Sequence, residues 1–559
     1  MNLLKPLTAG ALLAALTINI SAYAQEIPVV KTPPPPKDWH AMDLTANGYY
    51  GVSLAKAYEF VKGKKSKTVI VATIDSGVDT LQKDLKSILW TNTKEIPGNG
   101  IDDDHNGYID DIHGWNFLGG PGGKCDFTET TEEVREYAKL KDKYQNSTAN
   151  DSKEYKYWLK VKATHDSTIA KSSEELQQLS PMMNVLMVTS GFIKREMKLP
   201  ANGSFNLKDL QTLKTANDTV RESKNVWTSF FEQEGGATSN SAKVIKELSD
   251  YLAKLNNDVS PDLDARKRIV GDNPDDFTDK KYGSNLLKFD DAMHGTMVAG
   301  FIGAIRGNGY GMDGIADNVR IMAIKAVPNG DEYDKDIANA IRYAVDNGAQ
   351  IINMSFGKKI SPHKEWVDAA FKYAAEHDVL LVSAAGNDNQ DVDAKADYPN
   401  DQFEDGSSTD ADNVINVGAS GPRKNDKLAA DFSNYGKKNV DVFAPGVKVT
   451  SVTMDAEVNT EDGTSFASPI TAGIAALILE HYPTLSSKQI KQAIMQSAKP
   501  LTGFMVYRPG SKTEKVDFST LSRTGGIVNA YDALVIASKM KGERKDTKSM
   551  TINTPASSK

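Results

Sequence analysis

The sequence predicts an α/β fold: a mainly parallel sheet with helices on both faces, as in doubly wound folds, interrupted by a large, mostly α-helical insertion. Short, β-branched apolar runs at 69–74, 319–327, 351–354 and 414–419 are typical of strands buried on both faces. Between two of these runs, residues 334–346 place their apolar side chains on one helical face. Strands that alternate with helices in this way favour parallel pairing through βαβ connections.

The first 24 residues are predicted to be a signal peptide. Lys5 supplies a positive charge, residues 7–20 form an apolar run, and Ala22-Tyr-Ala24 is a typical cleavage site. An uncleaved membrane anchor is the weaker interpretation, because the apolar run is shorter than the ~18 residues of a membrane-spanning helix. We therefore expect an exported protein, secreted or periplasmic, without stable membrane insertion.

The composition indicates an ordinary globular protein. The chain has 559 residues, of which 40% are hydrophobic and 25% are charged, and its formal net charge is −8. This mildly acidic balance gives no reason to expect nucleic acid as a partner. The single cysteine, Cys125, excludes an internal disulfide framework and lies in a loop-like setting. The sequence leaves the oligomeric state open.

Three short runs each contain a residue type suited to catalysis, in the order Asp, His, Ser. Asp75 directly follows the predicted strand at 69–74, His294 begins a His-Gly-Thr run, and Ser465 lies in a Gly-Thr-Ser run. The second and third runs each precede an apolar stretch that indicates a buried helix. Alone, Asp75 would be interpreted as a turn or cap residue, His294 as a histidine without a catalytic role, and the Gly-Thr-Ser run as a helix N-cap. Together they supply a hydroxyl nucleophile, a base and a carboxylate that orients the base.

These runs resemble those of the subtilisin-like serine peptidases, the subtilases, over about residues 40–120 and 289–540. The resemblance implies a serine endopeptidase that acts on peptides or proteins. Ser465 would attack the scissile carbonyl, His294 would take up and return the proton, and Asp75 would orient the imidazole. A non-catalytic scaffold or binding module with the same fold is the alternative, and the intact set of three residues argues against it.

A fourth run, Gly386-Asn387, follows the apolar stretch 379–383. The resemblance makes the Asn387 side chain one donor of an oxyanion hole, with the backbone N–H of Ser465 as the other. The alternative is that Asn387 caps a turn, since Gly-Asn is a turn-like pair.

The same resemblance places a substrate cleft between two strand ends, where an extended peptide would pair with the protein backbone. The residues expected to form its two walls are Ser355, Phe356 and Gly357 on one side and Ser383, Ala384 and Gly386 on the other. No charged residue stands out among them. The sequence therefore favours an apolar or uncharged substrate side chain at P1, the residue before the scissile bond.

An acidic loop follows the strand that carries Asp75. Residues 102–107 read Asp-x-Asp-x-Asn-Gly, but His113 stands where an EF-hand requires glutamate. Similar loops bind calcium in subtilases, so the resemblance implies a structural Ca²⁺. The expected ligands are Asp102, Asp104, Asn106, the carbonyl of Tyr108, and Asp110 or Asp111. A solvated acidic turn is the alternative.

The largest departure from the family pattern lies between Asp75 and His294, which are 219 residues apart in the chain. Residues 126–288 are predicted to be a helical insertion of four to six helices, within which Val244, Ile245, Leu248, Leu252 and Leu255 form one apolar face. We assign 39–125 and 289–540 to the catalytic domain, 25–38 to a proline-rich linker and 541–559 to a disordered tail. The insertion either roofs the cleft and restricts access to it or is a peripheral decoration.

Overall fold

The structure, a computed structural model, describes residues 33–147, 151–233, 240–405 and 410–544. The described chain divides into two compact units, one spanning Thr128–Asp264 and the other spanning Pro34–Phe127 together with the chain from Ala265 onward. The predicted signal peptide, 1–24, lies outside the described residues, as do most of the linker and most of the tail. Across the described ranges, no helix has both the length and the apolar character needed to cross a bilayer.

The larger unit is built on a parallel sheet. Its strands, within the described residues, are β1 (Val69–Asp75), β2 (Gly114–Asn116), β3 (Gly119–Gly120), β4 (Lys124–Cys125), β5 (Val319–Lys325), β6 (Ile351–Met354), β7 (Leu380–Ala384), β8 (Val414–Ser420), β9 (Val442–Pro445), β10 (Val449–Val452), β11 (Val458–Glu461), β12 (Met505–Tyr507) and β13 (Lys515–Asp517). Seven of these strands form one sheet in the order β2-β5-β1-β6-β7-β8-β9, and every neighbouring pair in it is parallel. The remaining strands pair as antiparallel ribbons.

Helices flank this sheet and also make up the smaller unit. The α-helices of the described chain are α1 (Leu44–Asn47), α2 (Leu54–Val61), α3 (Glu132–Tyr144), α4 (Lys153–Glu196), α5 (Leu207–Thr212), α6 (Asp218–Gln233), α7 (Ser241–Val259), α8 (Ala265–Ile269), α9 (Met293–Gly303), α10 (Asp334–Asp346), α11 (Lys364–Glu376), α12 (Thr464–His481), α13 (Ser487–Ser497) and α14 (Ala530–Ala537). The predicted helix at 334–346 is thus present as α10.

The strands of this sheet are mostly apolar because both faces of the sheet are covered. Along β1, Val71 packs in a core that includes α9 and α12, whereas Ala72 and Ile74 pack in a second core that includes α10 and α11. Successive side chains of a strand point to opposite faces, so a strand with helices on both sides needs apolar residues at nearly every position. The predicted fold class, a mainly parallel sheet with helices on both faces, is confirmed.

The smaller unit is helical, as expected for the insertion. Its described residues contain five α-helices, α3 to α7, of which α4 is 44 residues long. On α7 the predicted apolar face is directed inward: Val244, Leu248, Leu252 and Leu255 are buried, and Ile245 is partly buried. They pack with Trp227 and Phe231 of α6 in a core of their own.

The compact helical unit ends at Asp264, before the predicted end of the insertion at residue 288. The segment that follows this unit contains a buried ion-pair cluster around Arg266 of α8. Its guanidinium donates paired hydrogen bonds to the carboxylates of Asp272 and Asp336, at 2.7 to 2.8 Å. Because Asp336 belongs to α10, this cluster fastens the returning chain to the sheet unit.

Replacing Arg266 with methionine is expected to lower the free energy of unfolding by about 3–5 kcal/mol, because two buried carboxylates lose their shared counter-charge. Chemical denaturation followed by intrinsic fluorescence measures this change. Lys488→Met is the matched control, since the Lys488–Asp412 pair is solvent-exposed and its loss should cost less than about 1 kcal/mol. Equal effects of the two substitutions would contradict a structural role for the Arg266 cluster.

Candidate active site

Asp75 and His294 are in direct contact. Asp75 ends β1 and is buried, and His294 lies in the first turn of α9. The Nδ1 of His294 is 2.7 Å from the Oδ1 of Asp75. A carboxylate oxygen only accepts hydrogen bonds, so Nδ1 carries the proton and Nε2 is left to exchange one. The carboxylate therefore sets both the tautomer and the orientation of the ring.

This contact depends on a close approach between α9 and the turn after β1. A Cβ atom on Gly295 would lie 2.1 Å from the carbonyl oxygen of Gly77 and 3.1 Å from the Cβ of Asp75, so no side chain fits there. The backbone N–H of Gly295 donates to Ser76 Oγ (3.2 Å), and the backbone N–H of Asp79 donates to Thr296 Oγ1 (2.8 Å). The His-Gly-Thr run thus joins the helix to the strand end.

Ser465 lies at the start of α12, where its hydroxyl donates to the carbonyl oxygen of Ser355 at 3.2 Å. In return, the hydroxyl of Ser355 donates to the carbonyl oxygen of Ser465 at 2.8 Å. The ring of the next residue, Phe466, packs against the His294 ring with a centroid separation of 5.3 Å. The helix start that carries Ser465 is therefore fastened to the chain just beyond β6 and adjoins the imidazole.

Asn387 is held by the residue before Ser465. Its Oδ1 accepts hydrogen bonds from the backbone N–H (2.9 Å) and the hydroxyl (2.8 Å) of Thr464. A backbone N–H is only a donor, so the oxygen of the carboxamide must face Thr464. Its NH₂ group makes no hydrogen bond within the described residues and remains available as a donor.

Of the residues predicted to line a substrate cleft, some line a pocket and others are buried in the protein. Gly357 and Ala384 line one pocket, together with Ala385, Asp397, Tyr398 and Pro399 among others. Ser355 is buried and bonded to the Ser465 backbone, whereas Phe356 and Ser383 are directed into the protein interior. Gly386 lies against the pocket rim, where a Cβ atom would be 2.7 Å from a carboxylate oxygen of Asp397.

The acidic loop groups its carboxylates differently from the predicted set. Asp102 and Asp104 converge with Glu95, and one carboxylate oxygen from each lies within 4.8 Å of the others. Asp110 instead accepts the backbone N–H groups of Gly98, Asn99 and Gly100. Glu95, Asp102 and Asp104 are thus close enough together to share a cation, and Lys94 Nζ lies 3.9 Å from Asp104.

The other predicted ligands make contacts within the protein. Asp111 is buried and accepts from the hydroxyl of Tyr343 (2.6 Å) and from the side-chain amides of Asn92 and Asn106. Burial raises the pKa of Asp111 to about 6 against the effect of these hydrogen bonds. The Asn106 Oδ1 accepts from the backbone N–H of Tyr108, whose ring packs edge-on against Tyr343.

Sequence reasoning missed three residues of this region. Thr464 belongs to the Gly-Thr-Ser run, but its bond to Asn387 joins residues 77 positions apart in the chain. Glu95 lies outside the Asp-x-Asp-x-Asn-Gly run and carries no motif signal of its own. Asp397 precedes a Tyr-Pro pair in a loop, and nothing in its neighbourhood in the sequence indicates that it reaches the pocket.

The chain was compared with known proteins. A family model described as "Subtilase family" matches residues 66–526. The chain is 36% identical to the thermophilic serine proteinase of Bacillus sp. (strain AK1) over 300 residues, which are 52% of this chain and 66% of that protein. It is also 36% identical to subtilisin DY of Bacillus licheniformis over 221 residues, 39% of this chain and 74% of that protein.

A further relative is the cell wall-associated protease of Bacillus subtilis (strain 168). It is 34% identical over 221 residues, which are 39% of this chain and 23% of that protein. The match thus spans just under two thirds of the thermophilic proteinase and about a quarter of the cell wall-associated protease.

Proposed function

The chain belongs to the subtilase family, and we propose that it is a serine endopeptidase that hydrolyses peptide bonds through an acyl-enzyme. The observation that carries this proposal is the 2.7 Å contact between the buried Asp75 carboxylate and His294 Nδ1, beside the helix start that bears Ser465. This contact is the oriented base that a serine nucleophile requires. A non-catalytic scaffold would have no need to fix one imidazole tautomer.

In the proposed reaction, the Ser465 hydroxyl turns from the Ser355 carbonyl to His294 Nε2. As Oγ bonds to the scissile carbonyl carbon, its proton passes to Nε2, and the Asp75 carboxylate stabilises the imidazolium. The proton then passes to the leaving amine as the C–N bond breaks. Water, deprotonated by the same imidazole, hydrolyses the acyl-enzyme and restores the hydroxyl of Ser465.

The negative charge that develops on the substrate carbonyl oxygen has two candidate donors. One is the NH₂ of Asn387: Thr464 donates twice to the carboxamide oxygen and so leaves the NH₂ on the opposite side. The other is the backbone N–H of Ser465, in the first turn of α12, where unpaired N–H groups and the helix dipole favour an anion. The starting geometry of α12 therefore serves both the nucleophile and the charge it creates.

A serine-directed fluorophosphonate is expected to label the protein, and Ser465→Ala is expected to abolish labelling and peptide hydrolysis, because this hydroxyl is the proposed nucleophile at the helix start beside the oriented base. Asn387→Ala should retain labelling but lower kcat by about 10²–10³, the range established with a subtilisin. Gel fluorescence and peptide hydrolysis assays measure the two effects.

The matched control is Ser468→Ala in the same helix, whose hydroxyl donates to Asn353 rather than facing the imidazole; it should label like the parent protein. Equal labelling of the parent and of Ser465→Ala would contradict the nucleophile assignment. A folded parent protein that neither labels nor hydrolyses peptides would favour the scaffold alternative.

We also propose that the protein acts outside the cytoplasm, secreted or periplasmic. The support is the signal-peptide pattern of residues 1–24. Two relatives carry names that place them outside the cell, the cell wall-associated protease and the minor extracellular protease Epr of Bacillus subtilis (strain 168).

A structural calcium ion is proposed at Glu95, Asp102 and Asp104, since members of the subtilase family commonly bind structural calcium. Three carboxylates within 4.8 Å repel one another unless a cation neutralises them. Carboxylate oxygens are the ligands that Ca²⁺ prefers, and carbonyl oxygens and water complete its coordination shell. Bound Ca²⁺ would supply positive charge that stabilises the loop after β1.

Saturating Ca²⁺ is expected to raise the free energy of unfolding of the chelator-treated protein by about 3 kcal/mol at 100 times the Kd. Asp104→Asn should weaken binding, because it removes one of the three charges. Calorimetric titration and thermal unfolding measure these effects. The control is Asp103→Asn, whose carboxylate accepts from Ile96 and Asn99 outside the cluster. No binding heat at millimolar Ca²⁺ would contradict the site.

The helical unit, Thr128–Asp264, is proposed to restrict which substrates reach the active site. The support is its place in the chain, inserted between the strand that carries Asp75 and the helix that carries His294, and its own apolar core. Peripheral decoration is the alternative.

Replacing residues 128–264 with a short Gly/Ser linker is expected to increase cleavage of a folded protein relative to a tetrapeptide, because a barrier to large substrates has been removed. The ratio of the two kcat/KM values measures the effect, and fluorophosphonate labelling of Ser465 checks that the shortened protein is folded. An unchanged ratio in a protein that still labels would contradict the gating role.

A further inference from the structure

The pocket lined by Gly357 and Ala384 contains a carboxylate that the sequence analysis did not anticipate. Gly357 lies two residues after Ser355, which is hydrogen-bonded to Ser465. Ala384 ends β7, just before the loop that carries Asn387. This places the pocket beside the proposed reacting centre. Asp397 lines it together with these two residues.

Two glycines pack against the Asp397 carboxylate. A Cβ atom on Gly386 would lie 2.7 Å from Asp397 Oδ2 and 2.3 Å from the side-chain nitrogen of Asn434, and one on Gly357 would lie 3.6 Å from the same carboxylate oxygen. A side chain at Gly386 would therefore collide with the carboxylate, and one at Gly357 would touch it. With glycine at both positions, the half-buried carboxylate forms part of the pocket lining.

The carboxylate is only weakly engaged by the protein. Its Oδ1 accepts from the backbone N–H of Tyr398 at 3.2 Å, and its Oδ2 lies 3.4 Å from the side-chain amide of Asn434. No lysine or arginine of the described ranges lies within ion-pair distance of it. An ionised carboxylate has about four acceptor sites, and a partly buried one is costly unless a cation pairs with it.

We propose that Asp397 is a specificity-determining residue that selects a positively charged side chain, lysine or arginine, at the P1 position of the substrate. This inference rests on the proposed peptidase function. A long side chain with a cationic end matches a pocket that combines small residues, Gly357, Ala384 and Ala385, with neutral amide side chains and one carboxylate. That carboxylate has no lysine or arginine within ion-pair distance in the described ranges, so a guanidinium or ammonium group would pair with it. It replaces the uncharged P1 preference expected from the wall residues alone.

The surrounding charges add to this preference. Burial raises the pKa of Asp397 to about 8, and the neighbouring charges of Asp388 and Asp331 act in the same direction, against a hydrogen bond from Tyr398 and the weaker effect of Lys359. The same negative groups attract a cationic side chain into the pocket. Since only the ionised carboxylate pairs with a cation, selection for lysine is strongest above pH 8 and declines as the pH falls.

The test uses tetrapeptide p-nitroanilides that differ only at P1, carrying lysine, arginine, or methionine as an uncharged chain of similar length. The wild-type kcat/KM is expected to favour lysine and arginine over methionine by about 10–100-fold at high pH. Asp397→Asn is expected to remove this preference while hydrolysis of the methionine substrate continues. Below about pH 8, the lysine-to-methionine ratio of the wild type should fall about tenfold per pH unit.

Asp388→Asn is the matched control, because it removes an exposed negative charge near the pocket without touching its lining. It should preserve the lysine preference at high pH and shift the pH profile to lower pH, since Asp388 raises the pKa of Asp397. Equal loss of preference in both variants would show a diffuse electrostatic effect and would overturn the role of Asp397.

Two further outcomes distinguish a wrong P1 preference from a wrong peptidase assignment. A wild type that cleaves the methionine substrate at least as well as the lysine one overturns this inference and leaves the peptidase intact. A wild type that neither cleaves any peptide nor labels with fluorophosphonate overturns the peptidase function and this inference with it. If Asp397→Asn does not fold, stronger inhibition of the wild type by n-butylguanidinium than by n-butanol supports the inference, and equal inhibition overturns it.

Discussion

The contact between Asp75 and His294 is the constraint on which the rest of the site depends. The two residues are 219 positions apart in the chain, yet the His294 Nδ1 and Asp75 Oδ1 atoms lie 2.7 Å apart. The chain must therefore leave the sheet after β1 and return so that α9 begins beside the end of that strand. A parallel sheet makes this possible because the carboxyl ends of its strands meet at one edge, where residues from distant parts of the chain converge. Gly295 then allows the helix to approach the strand end closely enough for the imidazole to meet the carboxylate.

The return of the chain explains why the segment after the helical unit belongs to the sheet. Arg266 anchors this segment to α10, and the carbonyl oxygen of Leu287 accepts the backbone N–H of Val78 in the turn beyond Asp75. Residues 265–288 therefore contact the turn that follows the strand carrying Asp75. The helical unit, by contrast, has a core of its own.

Much of this arrangement could be predicted from the sequence, and the remainder is non-local. The strand β1 is a continuous short apolar run and the helix α10 has a periodic apolar face, and the local sequence reveals both directly. The positions of Asp75, His294 and Ser465 follow from short runs around them. By contrast, the bond between Thr464 and Asn387, the convergence of Glu95 with Asp104, and the approach of Asp397 to Gly386 join residues from separate loops. No periodicity marks such contacts, because each depends on how the whole sheet is assembled.

The loop after β7 links the proposed oxyanion donor to the proposed specificity pocket. Asn434 accepts the backbone N–H of Asp388 at 3.0 Å and donates to the carbonyl of Ala385 at 2.9 Å, so it fixes the loop on both sides of Asn387. The same amide group lies 3.4 Å from the carboxylate of Asp397. Changes that alter the size of a side chain here would move the pocket and the oxyanion donor together. Replacing aspartate by asparagine at 397 keeps the shape and removes the charge, so its effect reports on charge recognition and not on a displaced loop.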